Sequence, residues 1–327
     1  MNWMLPFESQ PVSNKVSYDK PMLFIGSCFS NNLGIQLQEA KFQVSYNPMG
    51  VVFDPLSIIY HLKMALNNQA VKEDTLFEHN ELWHSWHHHS VLSSTSKQQT
   101  ICAIEAASLH IHKTLKQASH LFITMGTAFS YVLKESHIHV ANCHKTPKQW
   151  FDKKLLSIEE MKTEMVKLCE AIKLINRDIE IVFTVSPVKH IRDGVVENSR
   201  SKARLLETAH AVVDMLSYCS YFPAYEMVTD VLRDYRFYAS DMAHPNEQAV
   251  NYVLQQFCQT YMSVETQQMK NEIKQVVAAK KHQVLHAGTL AHKQFLNTFL
   301  AKTELLKVKL PFVNWEDELA YFRVLKV

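Results

Sequence analysis

The stretch Phe24-Ile25-Gly26-Ser27-Cys28-Phe29-Ser30-Asn31-Asn32 passes from an apolar run through three small residues into a polar segment. Met22 to Gly26 is continuous apolar sequence closed by a glycine, the pattern of a strand buried on both faces, and Asn31 to Ala40 carries the spacing of an amphipathic helix. A strand that turns directly into a helix opens a βαβ unit. The turn falls at the carboxyl edge of the sheet, where open α/β proteins bind ligands. A helix N-terminus favours negative charge, so a thiol or hydroxyl placed there is helped to ionise.

The same pattern recurs along the chain. Phe42 to Tyr46 predicts a second short strand, Asn47-Pro48-Met49-Gly50 a turn that brings Gly50 to the same edge, and Pro55 the start of a helix reaching about Asn68. Val71 to Gln99 is an irregular excursion with room for a β-hairpin. Thr100 to Ala118 is helical, and Leu121 to Met125, closed by Gly126, is a third parallel strand. Ile158 to Asn176 is an amphipathic helix and Ile179 to Val185 a fourth strand, which leaves the sheet at Ser186-Pro187. Lys202 to Tyr218 and Gln248 to Met262 are helices flanking an edge strand, Tyr221 to Tyr225, interrupted by Pro223. Strands alternating with helices predict a parallel sheet covered on both faces. From Val264 onward no strand signal remains. Residues 1–263 are therefore expected to form the α/β domain and residues 264–327 a helical extension, packed on that domain or on a second copy of the chain as a homo-oligomer.

Composition narrows the partners. The 327 residues are 47% hydrophobic, ample for a packed core, and 34 Lys and Arg against 32 Asp and Glu leave a charge of +2. So balanced a charge attracts neither nucleic acid nor an anionic membrane. No apolar run approaches the ~20 residues that span a bilayer. Met1 to Gln10 lacks the basic and apolar regions of a signal peptide, so a cytoplasmic location is expected. The six cysteines are scattered without a CxxC pair, which predicts no disulfide framework and no zinc finger. There is no dinucleotide fingerprint or P-loop, and no cofactor is expected.

Gly26-Ser27-Cys28-Phe29-Ser30 resembles the signature of the GSCFA family, whose usual fifth residue is Ala, and that family resembles the SGNH (GDSL-type) hydrolases. Asn47-Pro48-Met49-Gly50, Asn142-Cys143-His144-Lys145, Val185-Ser186-Pro187-Val188 and Asp241-Met242-Ala243-His244-Pro245 resemble its later blocks in the same order. The resemblance implies an SGNH-like three-layer sandwich with a central parallel sheet in flavodoxin-like strand order. It implies hydrolysis or transfer of acyl esters, carbohydrate O-acetyl esters among them. Laid over Gly-Asp-Ser of the GDSL box, Gly26-Ser27-Cys28 puts Cys28 at the nucleophile, with Ser27 the alternative. His244 falls at the position of the base and Asp241 at that of the group orienting it, and D-x-x-H spacing lets both side chains turn to one side of a loop. The oxyanion hole is expected from the amides of Cys28 and Gly50. The SGNH pattern adds an Asn after a Gly at a middle strand end, but Gly126 is followed by Thr127 here, so Thr127 or Asn142 must take its place. Gly26, Asn47, Gly126, His89 and Arg192 complete the expected pocket. The Ser-to-Cys replacement and the missing Asn leave a second reading open, a degenerate fold that binds a glycan or small polar ligand without turning it over.

Trp83-His84-Ser85-Trp86-His87-His88-His89 invites a metal reading, but consecutive histidines diverge on a helix or strand, so no metal is expected. His89 is assigned to the pocket, with the Trp rings either a platform for a sugar or packing against the core. Arg192, after the fourth strand, either holds a carboxylate or phosphate or pairs with Asp193 or Glu197. Ser199-Arg200-Ser201-Lys202 reads as a polar helix start.

Overall fold

The structure, a computed structural model, describes residues 4–323; the first three residues of the Met1 to Gln10 segment and the last four of the C-terminal extension lie outside the described residues. The central sheet contains the strands β1 (Met22–Gly26), β2 (Val44–Tyr46), β5 (His120–Met125), β9 (Glu180–Val185) and β10 (Cys219–Tyr221), all parallel, in the spatial order β10-β9-β5-β1-β2. This is the flavodoxin-like order, which reverses direction between β1 and β5 and opens a crevice there at the carboxyl ends.

Alternation along the strands divides the core in two. Met22, Phe24, Phe122 and Val182 face α1 (Cys28–Glu39) and a helix at Glu247–Tyr261, whereas Leu23, Ile25, Ile123 and Phe183 face α2 (Pro55–Leu66), α3 (Lys97–Gln117), α4 (Ile158–Ile175) and α5 (Gly194–Met215). Helix α5 starts eight residues before the expected Lys202, and β10 ends at Tyr221, so the expected strand at Tyr221 to Tyr225 lies two residues early; Pro223 instead precedes α6 (Ala224–Glu226), which runs into a π-helix at Met227–Leu232. Proline cannot supply the ladder N–H, so the strand stops short of it.

The excursion after α2 holds the hairpin of β3 (Leu76–His79) and β4 (Leu82–Ser85). A second, antiparallel sheet of β6 (Phe129–Leu133), β7 (His139–Val140) and β8 (Phe151–Leu155), which the sequence did not announce, follows β5. Its outward residues are polar and its strands short, so periodicity alone carries little signal.

The helix at Glu247–Tyr261 is α7, and α8 (Val264–Lys281), α9 (Leu290–Lys309) and α10 (Glu316–Arg323) follow it. These last three share the first half-core through Ile273, Leu300, Trp315 and Phe322. Trp315 is 1% exposed, and Lys41, just past the end of α1, lies over its ring and pairs with the buried Glu318 at 2.8 Å. Lys281 pairs with Glu39 on the last turn of α1. Among the described residues no helix is long and apolar enough to cross a membrane. Trp315→Ala is expected to cost about 3–5 kcal/mol of stability, read as a lower chemical-denaturation midpoint. An unchanged midpoint would show that the C-terminal helices add nothing to the common core.

Candidate active site

Three elements meet at the end of β1. Gly26 has φ +128°, and a Cβ there would lie 2.0 Å from the carbonyl oxygen of Thr124 on β5, so only glycine lets the two strands close at this point. Its N–H donates to Asn47 Oδ1 at 2.8 Å, and Asn47 Nδ2 donates to Asn31 Oδ1 at 2.7 Å, in the first turn of α1. The chain then crosses the strand ends, with Val52 N–H donating to Gly26 O and both Gly126 and Thr127 N–H donating to Phe53 O. Asn47 thus ties β1, α1 and this crossing segment together. Asn47→Ala leaves the buried Gly26 N–H unpaired, and a loss of about 1–3 kcal/mol is expected in equilibrium denaturation; full retention of stability would show that the tie is dispensable.

Ser27 caps α1. Its hydroxyl accepts from Phe29 N–H at 3.3 Å, it is 1% exposed, and its own N–H donates to Thr124 O. Cys28, the first helical residue, is half-buried, and no protein acceptor takes its N–H among the described residues. The expectation that the helix end lowers the thiol needs correction. Burial pushes the Cys28 thiol up, and the opposing pull of its own N–H, of the Lys202 charge and of Phe29 N–H does not outweigh that.

Asp241 and His244 come together as the D-x-x-H spacing suggests. Asp241 Oδ1 accepts the N–H groups of Ala243 and His244, and His244 Nδ1–H donates to Asp241 Oδ2 at 2.6 Å. Those two backbone donors, then the ring, hold the Asp241 carboxyl down at about 2. The turn passes through Met242 at φ +56° and is fastened to the segment after β9 by Lys189 N–H on Ala243 O at 3.0 Å. His244 is exposed, and among the described residues no hydrogen bond joins its ring to Cys28 Sγ. The carboxylate and imidazole are assembled with each other and not hydrogen-bonded to the thiol.

The expected oxyanion donors are mostly committed elsewhere. Gly50, at φ +82°, donates its N–H to Asn47 O at 2.8 Å and so closes its own turn. Thr127 Oγ1 bonds Ser201 Oγ at 3.1 Å and accepts Phe129 N–H. Asn142 Oδ1 accepts His144 N–H in a local turn. Gly126, buried at the end of β5, abuts Phe53. His89 packs against Gly50, where a Cβ would come 2.2 Å from that of His89, and its Nδ1 accepts Val91 N–H. Arg192 is exposed and pairs with neither expected carboxylate, because Asp193 is taken by Lys153 and His190, and Glu197 by Arg200. Its charge still bears on Asp193 and His190, and also on Cys143.

The histidine-rich hairpin is packing. Trp86 is buried, stacked on Phe77 with ring centroids 3.6 Å apart, and so offers no platform for a sugar. His61 Nε2–H donates to His87 O, His144 Nε2–H to Ser85 O, and His88 Nδ1 bonds Ser85 Oγ. No group of three or more His, Cys, Asp or Glu among the described residues is placed to hold a metal. Burial pushes His61, His87 and His144 down to about 4, and His88 well below its ordinary value. The unfolded chain, with imidazoles near 6.5, binds protons that these folded rings refuse. Stability from this cluster is therefore fully present above pH 6.5 and lost as pH falls towards 4, by up to ~1.4 kcal/mol per pH unit for each ring. Denaturation midpoints at pH 7.5, 6 and 5 measure this slope; equal midpoints would contradict it.

The reading of Ser199-Arg200-Ser201-Lys202 as a polar helix start needs correction, because α5 begins at Gly194 and buries Ser201 and Lys202. Lys202 lies in the interior of α5, 1% exposed, with Nζ donating to Gly126 O at 2.7 Å and Ser186 O at 2.6 Å. It falls in register with the buried Leu205, Ala209 and Val212, and a cation on that apolar stripe was the signal available in the sequence.

A parallel flavodoxin-like sheet with a thiol at the end of its first strand and a carboxylate-oriented imidazole at its carboxyl edge defines a Cys-containing α/β site of the kind found at such switch points. The family model described as the GSCFA family matches residues 21–257, and a model described as GSCFA domain protein, C-terminal domain, matches residues 273–325. The chain belongs to the GSCFA family. No curated protein matches it. Among solved structures it is similar to an acetyl xylan esterase, Est2A, from the rumen bacterium Butyrivibrio proteoclasticus, at 11% identity and a TM-score of 0.33, over 75% of this chain. The chain spans 64% of that esterase's length.

Proposed function

We propose that the chain is an SGNH-type hydrolase or acyltransferase acting on acyl esters, with carbohydrate O-acetyl esters as the substrate class. Cys28 attacks the ester carbonyl, His244 takes the thiol proton and later returns it to the leaving alcohol, and Asp241 holds the ring with Nδ1 protonated so that Nε2 is free to act as base. The observation that carries this is the 2.6 Å bond from His244 Nδ1–H to Asp241 Oδ2 on an exposed loop beside the strand ends. Because burial favours the thiol form of Cys28, a base at the moment of attack helps the nucleophile. Ser27 is the weaker nucleophile, since its hydroxyl is buried and caps α1. The Cys28 N–H is the free oxyanion donor; Gly50 would join it only by opening its turn, with Thr127 and Asn142 further candidates. Gly26, Asn47 and Gly126 form the floor of the pocket, and His89 and Arg192 its rim.

The committed amide of Gly50 favours the rival reading, a catalytically silent fold that binds a glycan or small polar ligand. Hydrolysis of 4-nitrophenyl acetate decides between them. Cys28→Ala and His244→Ala are each expected to lower the rate at least ~10²-fold, while Ser27→Ala retains most of it. Absence of turnover, or turnover indifferent to Cys28→Ala, would leave the silent fold as the better account.

A further inference from the structure

We infer that Lys202 is a positioning residue for the nucleophile, a buried cation whose charge balances the Cys28 thiolate from beneath the strand ends. This rests on Cys28 being the nucleophile of the proposed reaction, and it assigns part of the thiol's activation to a residue outside the Cys-His-Asp set.

An ammonium group has three donors, and Lys202 spends two on the carbonyls of Gly126 and Ser186, the first residues beyond β5 and β9. Cys28 begins α1 directly after β1, the strand paired with β5, so both groups stand at the carboxyl ends of neighbouring strands of the sheet. Burial of an ammonium without a carboxylate is costly. No carboxylate pairs with Lys202 among the described residues, and Cys28 is the charge that favours its protonated form. The same burial holds the amine down to about 7, so it gains or loses its proton in the range where a thiolate is useful. Around the pair stand the Tyr225 ring, 5.9 Å from Nζ, and His190, whose protonation the Lys202 charge opposes, with Asp193, Lys153 and Arg192 beyond it. His244 and Asp241 stand on the rim loop.

The proton that leaves Sγ is held at Nζ, so thiol and amine become thiolate and ammonium with the same total charge of zero; in the fraction that stays a thiol, His244 takes the proton during attack. Two buried charges of opposite sign replace two buried neutral groups, and their attraction in a low-dielectric site is what makes the thiolate accessible. A lysine that only clamped β5 to β9 would leave the reactivity of Cys28 unchanged.

The test is the rate of Cys28 alkylation by iodoacetamide from pH 5 to 10, followed by mass spectrometry of the Cys28 peptide, in wild type, His244→Ala and Lys202→Met. A step in rate near neutral pH is expected in wild type and kept in His244→Ala; Lys202→Met loses it and reacts about tenfold more slowly at pH 7. A wild-type profile without that step, or a step abolished by His244→Ala, overturns the inference even where Lys202→Met does not fold. Equal rates in folded Lys202→Met overturn it as well. No ester enters the measurement: a Lys202-dependent thiolate with no esterase activity would refute the proposed reaction alone, and Cys28-dependent esterase activity with Lys202-independent alkylation would refute this inference alone.

Discussion

At Gly26 the backbone of β1 runs so close to that of β5 that a methyl group would strike the Thr124 carbonyl. On its other side the amide of Gly26 donates to the side chain of Asn47, and Asn47 in turn grips Asn31 on α1. The direction in which α1 leaves the sheet, the path of the segment across the strand ends and the position of Cys28 all follow from this one contact. A helix aimed by a buried amide bond is rigid where a loop would not be, and rigidity at Cys28 is what the proposed acyl transfer requires.

Around that fixed point the site is unevenly assembled. Asp241 and His244 form a tight hydrogen-bonded unit on an exposed loop, while Cys28 lies half-buried at the start of α1. Burial raises the thiol, and the helix amides alone do not compensate. Two groups bear on the thiol in the proposed chemistry, the His244 imidazole and the buried Lys202 amine. In that proposal they act on different quantities: the first on where the proton goes during turnover, the second on how much thiolate exists before it.

The sheet was largely legible because β1, β5 and β9 are buried on both faces and so read as unbroken apolar runs ended by Gly26, Gly126 and Ser186-Pro187. The β6-β7-β8 sheet was not legible, since strands such as Phe151–Leu155 expose Asp152, Lys153 and Lys154 and resemble loop sequence. In the site, Asp241 and His244 were marked by local spacing, which sequence preserves. The occupation of Gly50's amide by Asn47 and of Thr127 by Ser201 depends on backbone direction and on contacts across 74 residues, which spacing does not encode. Lys202 was missed because a lysine in a helix is ordinarily solvated; only its register with Leu205, Ala209 and Val212 sets it apart.

The ion pairs Lys41–Glu318 and Lys281–Glu39 grip α1 at the end opposite Cys28. A helix of 12 residues is about 18 Å long, so the C-terminal helices hold the handle of a short lever whose tip carries the thiol. The two matched segments of the chain are then mechanically one: a descendant that shed the C-terminal helices would have to re-cover the far end of α1 to keep Cys28 aimed, whereas one that altered the His244 loop would not. Inheritance of the two segments as a pair is the pattern this linkage favours.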